Sequence, residues 1–320
     1  MPNSNAVFLD LASVSQEDVD LTPLEQTFSG WDYHSTTRPE DTAQRIAQAE
    51  LVVSNKVILD RETLQRSDQL KLICIAATGT NNVDLEAAGE FGIKVCNVAG
   101  YSTPSVVQQV FAMILSLTTR QAEYTQAIQD GRWQQSELFC LLDFPFRELS
   151  GKRLGIVGFG GLGRAVAQVT EAFGMEVVLC QRPGGPARTG RIPLDELLPQ
   201  VDILSLHCPL TPETTNLIGR QELAAMKPDA LLINCARGGV VDEAALADAL
   251  RSGQLGGAGV DTLTTEPPTQ GNPLLEPKIP NLIVTPHIAW ASVESRQRLV
   301  NEIAGNIRAF YAGEERNIVV

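Results

Sequence analysis

The sequence predicts an α/β protein made of two doubly wound parallel sheets, and three features carry that prediction. A short apolar run at 154–157 feeds Gly158-Phe159-Gly160-Gly161-Leu162-Gly163, a G-x-G-x-x-G that opens a helix and is followed by another strand. The first hundred residues alternate strand-like and helical stretches, the pattern of a parallel sheet with helices on its faces. Four more strand candidates follow the glycine segment, each ending in small or polar residues.

In chain order, the first strand candidates are 7–10, 51–54, 72–76 and 94–97, with helical material at 22–28, 42–49, 60–65 and 85–91. The loop Ala77-Thr78-Gly79-Thr80-Asn81-Asn82 follows the third of these strands. Small-residue loops at the carboxyl ends of parallel strands are where open α/β sheets bind ligands, although a plain turn would look the same. Gly100 and Pro104 then break the pattern, so 97–100 reads as a crossing between domains. Residues 105–120 form a helix whose Val106, Val110, Phe111, Ile114 and Leu117 make it too apolar for a surface element. Residues 131–149 are irregular and carry Trp133, Phe139, Phe144 and Phe146.

In the glycine segment, Gly158 serves the tight turn, Gly160 admits a pyrophosphate and Gly163 lets helix and strand pack closely. The helix that follows starts with free N–H groups facing an anion. Gly174 stops it, and 177–179 is the next strand. The later strands are 202–207, 230–235, 257–261 and 282–285, whose carboxyl ends would converge on one crevice. Residues 292–311 form an amphipathic helix with Leu299, Ile303, Ile307 and Phe310 on one stripe. If it packs back on the first domain, that domain is discontinuous.

Composition narrows the partners. The 320 residues suffice for two domains, and 43% apolar with 20% charged residues is an ordinary globular balance. A net charge of −13 argues against nucleic acid or an anionic membrane as partner. No stretch approaches the roughly 20 apolar residues of a membrane span, and residues 1–10 lack a basic start followed by a signal core. Six cysteines without a C-x-x-C pair read as reduced, mostly buried thiols of a cytoplasmic protein, and no spacing suggests a metal site.

Three groups carry candidate chemistry. The chain has only three histidines, His34, His207 and His287, and His287 follows an apolar strand and a proline. Hydride transfer to a carbonyl needs a proton at the developing alkoxide, which histidine commonly supplies near neutral pH. Glu266 lies in a proline-rich loop just past another strand end; a carboxylate beside an imidazole favours its protonated form and fixes its orientation. Arg237, flanked by Gly238-Gly239, has little bulk around it and suits a two-pronged hold on a carboxylate. Taken singly, each has a plain alternative: a surface ion pair, a solvated loop acid, a strand-end histidine.

With these segments in view, the chain resembles the D-isomer-specific 2-hydroxyacid dehydrogenases, and within them the glycerate dehydrogenase (hydroxypyruvate reductase) group. The matching stretches are AATGTNNVDLEAA at 76–88, GYSTPSVVQQVFAMILSL at 100–117, the glycine segment, LHCPLTPETTNLIG at 206–219, NCARGGVVDEAAL at 234–246, GVDTLTTEPP at 259–268 and TPHIAWAS at 285–292. The resemblance implies a flavodoxin-like substrate domain at 1–99 plus 291–320 and a Rossmann domain at 100–290. It implies Arg237, Glu266 and His287 as the catalytic set, with Arg237 and the loop Thr78, Gly79, Thr80 holding the substrate carboxylate. Cofactor contacts would fall on Gly158, Gly160, Gly161, Leu162, Gly163, Gln181, Arg182, Cys208, Cys235, Ala236, Asp261, His287, Ala289 and Trp290. The expected substrates are small 2-keto and 2-hydroxy acids, hydroxypyruvate and D-glycerate first and glyoxylate second, in a homodimer. Another 2-hydroxyacid, phosphite, or a nucleotide-sensing corepressor role stays open.

Two positions depart from the family pattern. NAD-using members usually carry an acid where this chain has Gln181, and Gln181-Arg182 tilts the expected cofactor from NAD toward NADP. Gln108-Gln109 stands where relatives often have Glu-His, inside the long apolar helix, and reads as a packing change.

Overall fold

Short runs of Val, Leu and Ile form the sheets of the computed structural model, which describes residues 5–320. The four residues before these, part of the segment read for a leader, lie outside the described residues. The chain runs β1 (Ala6–Phe8), α1 (Thr22–Glu25), β2 (Trp31–Tyr33), α2 (Pro39–Ile46), β3 (Leu51–Ser54), α3 (Arg61–Gln65), β4 (Leu72–Ile75), α4 (Leu85–Glu90) and β5 (Lys94–Cys96). All these strands pair in parallel in the order β2-β1-β3-β4-β5. The strand β2 was absent from the sequence reading because Trp-Asp-Tyr, half-exposed at the sheet edge, has no apolar run to announce it. Helix α2 begins earlier than expected because Pro39 suits the first turn, where no N–H is needed.

Next come α5 (Thr103–Thr119), α6 (Gln121–Gln129), β6 (Arg153–Val157), α7 (Gly161–Ala172), β7 (Glu176–Leu179), α8 (Leu194–Leu197), β8 (Ile203–Leu206), α9 (Arg220–Ala225), β9 (Leu231–Asn234), α10 (Glu243–Arg251), β10 (Gly257–Val260), β11 (Leu282–Val284) and α11 (Val293–Tyr311). The six strands are parallel in the order β11-β10-β9-β8-β6-β7. The helix α6 is an addition to the sequence reading; Arg120, at φ 58°, breaks the chain between it and α5.

By contacts the chain divides into two compact units, Met1–Ser102 with Trp290–Val320, and Thr103–Ala289. In the first, Leu299, Ile303 and Ile307 of α11 share an apolar cluster with Phe8, Val53 and Cys74, while Val7, Leu9, Ile73 and Ile75 pack on the opposite face. In the second, α5 lies so close to β10 that a Cβ on Gly259 would come within 2.8 Å of Met113 Sδ. That contact explains the apolar character of α5. All six cysteines are free, five are buried and Cys140 is half-buried. No helix among the described residues is long and apolar enough to cross a membrane.

Each sheet reverses its strand order once, between β1 and β3 in the first unit and between β6 and β8 in the second. In doubly wound sheets such reversal points open a crevice at the carboxyl ends of the strands.

Candidate active site

The glycines after β6 are of two kinds. Gly158 has φ +96°, and a Cβ there would sit 2.5 Å from the carbonyl oxygen of His207; one on Gly163 would sit 2.2 Å from that of Gly158. Those two are explained by the protein's own packing. Gly160 and Gly161 are not, because an added Cβ would meet nothing within 4 Å, and Gly160 at φ −85° needs no glycine for its conformation. Bare backbone facing open space, at the N-terminus of the 12-residue α7, fits a ligand phosphate that must come close to N–H groups. The residues present therefore fit a dinucleotide.

At the end of β7, Gln181 turns its amide into its own loop. Its Nε2 donates to the carbonyls of Gly185 (3.3 Å) and Pro186, and its Oε1 accepts from Arg188 N (3.1 Å). Beside it, the guanidinium groups of Arg164 and Arg191 lie 5.6 and 5.8 Å from the ring centre of Phe159. The thiols of Cys208 and Cys235 are buried, and burial pushes both up from their ordinary range. At the end of β8, His207 lies with Nε2 2.9 Å from Ser205 Oγ, and burial pulls it down to about 4, so the ring is neutral. Its Nδ1 and the Thr262 hydroxyl at the end of β10 are buried polar atoms without a hydrogen-bond partner.

Arg237, Glu266 and His287 stand on loops after three adjacent strands, β9, β10 and β11. Asn234 shapes the first loop: its Nδ2 donates to Arg237 O (3.0 Å) and its Oδ1 accepts from Ala236 N (3.1 Å). The sequence reading missed this residue, whose signal was an amide ending an apolar strand. Gly238 also has a different reason from the one expected. A Cβ there would come within 1.9 Å of Leu263 O, so the glycine lets the β10 loop close on the β9 loop, rather than clearing space for the guanidinium. The exposed Arg237 side chain donates from Nη1 to Ala236 O at 2.7 Å.

The structure brings Glu266 and His287 together. Glu266 Oε2 lies 2.7 Å from His287 Nδ1, and Oε1 accepts from Leu263 N at 2.8 Å. His287 itself has φ +54°, in the left-handed region rarely used by residues other than glycine. Asp261, expected among the cofactor contacts, is 1% exposed, and its carboxylate accepts from Thr285 Oγ1, Ile288 N and Ala289 N. Among the described residues no three His, Cys, Asp or Glu side chains form a metal-binding group.

In the first unit, the loop after β4 is pinned by its carbonyls. Ala77 O accepts from Val98 N, Thr78 O from Asn97 Nδ2, and Thr80 O from Val83 N, while Thr78 Oγ1 donates to Val98 O. No protein acceptor among the described residues takes the N–H groups of Thr78, Gly79 and Thr80. Trp290 packs edge-on to Tyr101, with ring centres 6.2 Å apart. Ala289 is buried and accepts from the Ser105 hydroxyl at 2.7 Å.

Comparison with known proteins identifies relatives across the whole chain. The family model described as D-isomer specific 2-hydroxyacid dehydrogenase, NAD binding domain, matches residues 111–289. The chain is 42% identical over 315 residues to a glycerate dehydrogenase of Methylorubrum extorquens, covering 98% of each. It is 37% identical over 319 residues to a hydroxypyruvate reductase of Blautia hydrogenotrophica, again covering 98% of each. The structure of D-lactate dehydrogenase from Aquifex aeolicus, complexed with NAD and lactic acid, matches with a TM-score of 0.83 at 31% identity over 99% of both chains.

Proposed function

The chain belongs to the D-isomer specific 2-hydroxyacid dehydrogenase family, and from that premise we propose that this NAD(P)-dependent enzyme interconverts hydroxypyruvate and D-glycerate, with glyoxylate a second substrate. The observation that carries the site assignment is the 2.7 Å contact between His287 and Glu266 on adjacent strand ends. The substrate choice is supported by two full-length relatives named for glycerate and hydroxypyruvate.

The bound dinucleotide supplies or accepts the hydride. Gly160, Gly161 and Leu162 at the start of α7 would hold its pyrophosphate through their N–H groups, with Cys208, Cys235, Ala236 and Ala289 as further contacts. Arg237 holds the substrate carboxylate and polarises the ketone. With Nδ1 turned to Glu266, proton exchange with the substrate oxygen falls to Nε2 of His287. Glu266 supports the imidazolium that must exist before the proton is given up, and keeps the ring from rotating. NADP is the slightly favoured cofactor. Gln181 spends its amide on its own loop instead of presenting a carboxylate to ribose hydroxyls, and Arg182 follows it. We further propose that the enzyme works in the cytoplasm as a homodimer. What supports the dimer is the exposed Leu138, Leu142, Phe146 and 93%-exposed Phe139 in the irregular stretch after α6, apolar side chains of the kind a second chain covers.

A turnover screen of hydroxypyruvate, glyoxylate, pyruvate and phosphohydroxypyruvate with both nucleotides tests the substrate, and preference for pyruvate would overturn it. Light scattering after size exclusion tests the dimer. The proton-donor assignment is tested by Glu266→Gln, which keeps shape and removes charge. Reductive kcat should fall about tenfold or more, because the ring loses the charged partner that orients it at 2.7 Å. Unchanged kcat would refute the pairing.

A further inference from the structure

We propose that Glu243, in the first turn of α10, is a positioning residue whose carboxylate closes the loop 264–272 at both ends and so sets Glu266 against His287. This rests on Glu266 being the working partner of His287.

Two acids stand side by side where α10 begins, and they do different things. Asp242 caps the helix, its Oδ1 accepting from Ala244 N at 3.1 Å and Ala245 N at 3.0 Å. Glu243 would by that measure have the plain role of any acid at a helix start, a favourable charge at the positive end of the dipole. Its contacts give it another. Glu243 Oε1 accepts from Thr264 N and Oε2 from Asn272 Nδ2, each at 2.7 Å. The two acceptors belong to one side chain, and the two donors stand at opposite ends of the loop that carries Glu266.

That loop needs a hold from outside. No helix or strand lies between β10 and the 3-10 turn Pro273–Leu275, and residues 264–271 are exposed apart from the half-buried Pro268. Apolar packing therefore does little to fix them. Two of the loop's main-chain bonds, Thr269 N to Pro267 O at 2.9 Å and Gly271 N to Pro268 O at 3.0 Å, only fold its tip on itself. Its near end starts from a seated residue. Leu263 is buried, and a Cβ on Gly238 would come within 1.9 Å of its carbonyl oxygen. From there two consecutive N–H groups go to two carboxylates, Leu263 N to Glu266 Oε1 at 2.8 Å and Thr264 N to Glu243. At the far end, Asn272 Oδ1 accepts from Leu274 N at 2.9 Å, so the amide can present only its NH2 to Glu243. Adjacent peptide groups thus connect the clamp on α10 to the glutamate whose other oxygen meets the imidazole.

The test uses the full-length enzyme with Glu243→Asp and Glu243→Ala, each made alone and together with Glu266→Gln. Glu243→Asp keeps the charge at the helix start but is one methylene too short to reach both donors. A displacement of about 1 Å at a catalytic group can cost about 100-fold. For this looser hold, kcat for reduction should fall about tenfold in either single variant. NAD(P)H affinity, read by fluorescence titration, should change by less than about twofold. Combined with Glu266→Gln, the same substitutions should cost less than about twofold more, because residues that act as a unit are not additive. Glu243→Gln sets an NH2 against one of the two donors and should behave like Glu243→Ala. Adding Asn272→Asp exchanges donor and acceptor, keeps the bond to Leu274 N and should recover most of kcat. The downfield proton resonance of His287 Nδ1, which reports contact with Glu266 whatever that contact does for turnover, should broaden or shift in Glu243→Asp. Wild-type kcat and an unmoved resonance in Glu243→Ala would overturn the proposal. Equal losses with and without Glu266→Gln would overturn it too, since Glu243 would then act elsewhere. A normal Glu243→Asp beside a damaged Glu243→Ala would reduce Glu243 to a dipole charge and do the same. Unchanged kcat in Glu266→Gln alone would refute the catalytic pairing separately, leaving the resonance to decide what Glu243 holds.

Discussion

The two sheets reverse strand order at equivalent points, yet one crevice is left open and the other is stapled shut. After β6 the chain runs through glycines, and two of them face open space at the start of a three-turn helix. After β1 it runs through Asp10, Leu11 and Ala12 into a single 3-10 turn, with no glycine. There the buried carboxylate of Asp10 accepts from Asn55 N at 2.9 Å and Lys56 N at 2.7 Å, joining the β1 and β3 ends across the reversal point. Topology supplies a crevice in both units. Whether it can receive a phosphate depends on which donors the first loop has left unspent.

The largest effect should come from breaking the open crevice from within. A Cβ in Gly163→Ala would drive into Gly158 O, so about 3 kcal/mol of stability and most nucleotide binding should be lost. Gly160→Ala meets no protein atom, so its melting temperature should hold while NAD(P)H binding weakens about tenfold or more, roughly 1.4 kcal/mol. Calorimetry with fluorescence titration separates the two. Equal melting temperatures for both variants would mean that the two glycines do not differ in kind.

Acid should sharpen the contrast, because the two reversal points titrate with opposite sign. His207 is held down to about 4, below its unfolded value, by burial. Its contribution, on the order of 3 kcal/mol, is full above about pH 6.5 and is lost as the pH falls toward 4. Asp10 is pushed up by burial, so the folded form holds its proton to a higher pH than the unfolded chain does. That contribution is greatest in acid and is lost as the pH rises through the folded value. Hydrogen exchange at pH 7 and pH 4.5, corrected for intrinsic rates, should show β6 and β8 losing protection before β1 and β3. Loss in the reverse order would contradict the linkage.

A smaller effect is expected from unpicking the closed crevice. Asp10→Asn puts an amide donor against a backbone N–H and should cost about 1–3 kcal/mol while leaving nucleotide affinity unchanged, as thermal melts and titration would show. Smaller still, Gln181→Asp should move the ratio of kcat/KM for NADPH over NADH about tenfold toward NADH. A constant ratio would remove Gln181 from cofactor choice.

The sequence by itself determined the two parallel sheets, because strands covered on both faces must be continuous apolar runs, and those at 51–54, 72–76 and 154–157 are visible without coordinates. It determined the glycine segment for the same kind of reason: a turn with φ +96° and a close helix–strand contact leave few residues to choose from. The edge strand β2 and the helix α6 were not legible, since neither is a strongly patterned run. Only the tertiary structure decided what the polar groups do. Asp261 reads from its neighbours as a strand-end acid facing a ligand, and Gly238 as empty space beside an arginine. Their partners, Thr285 to Ala289 and Leu263, lie about 25 positions along the chain, brought near by strand pairing. Hydrogen bonds form over about 3 Å and carry no sequence periodicity, so they appear only once the strands are in register.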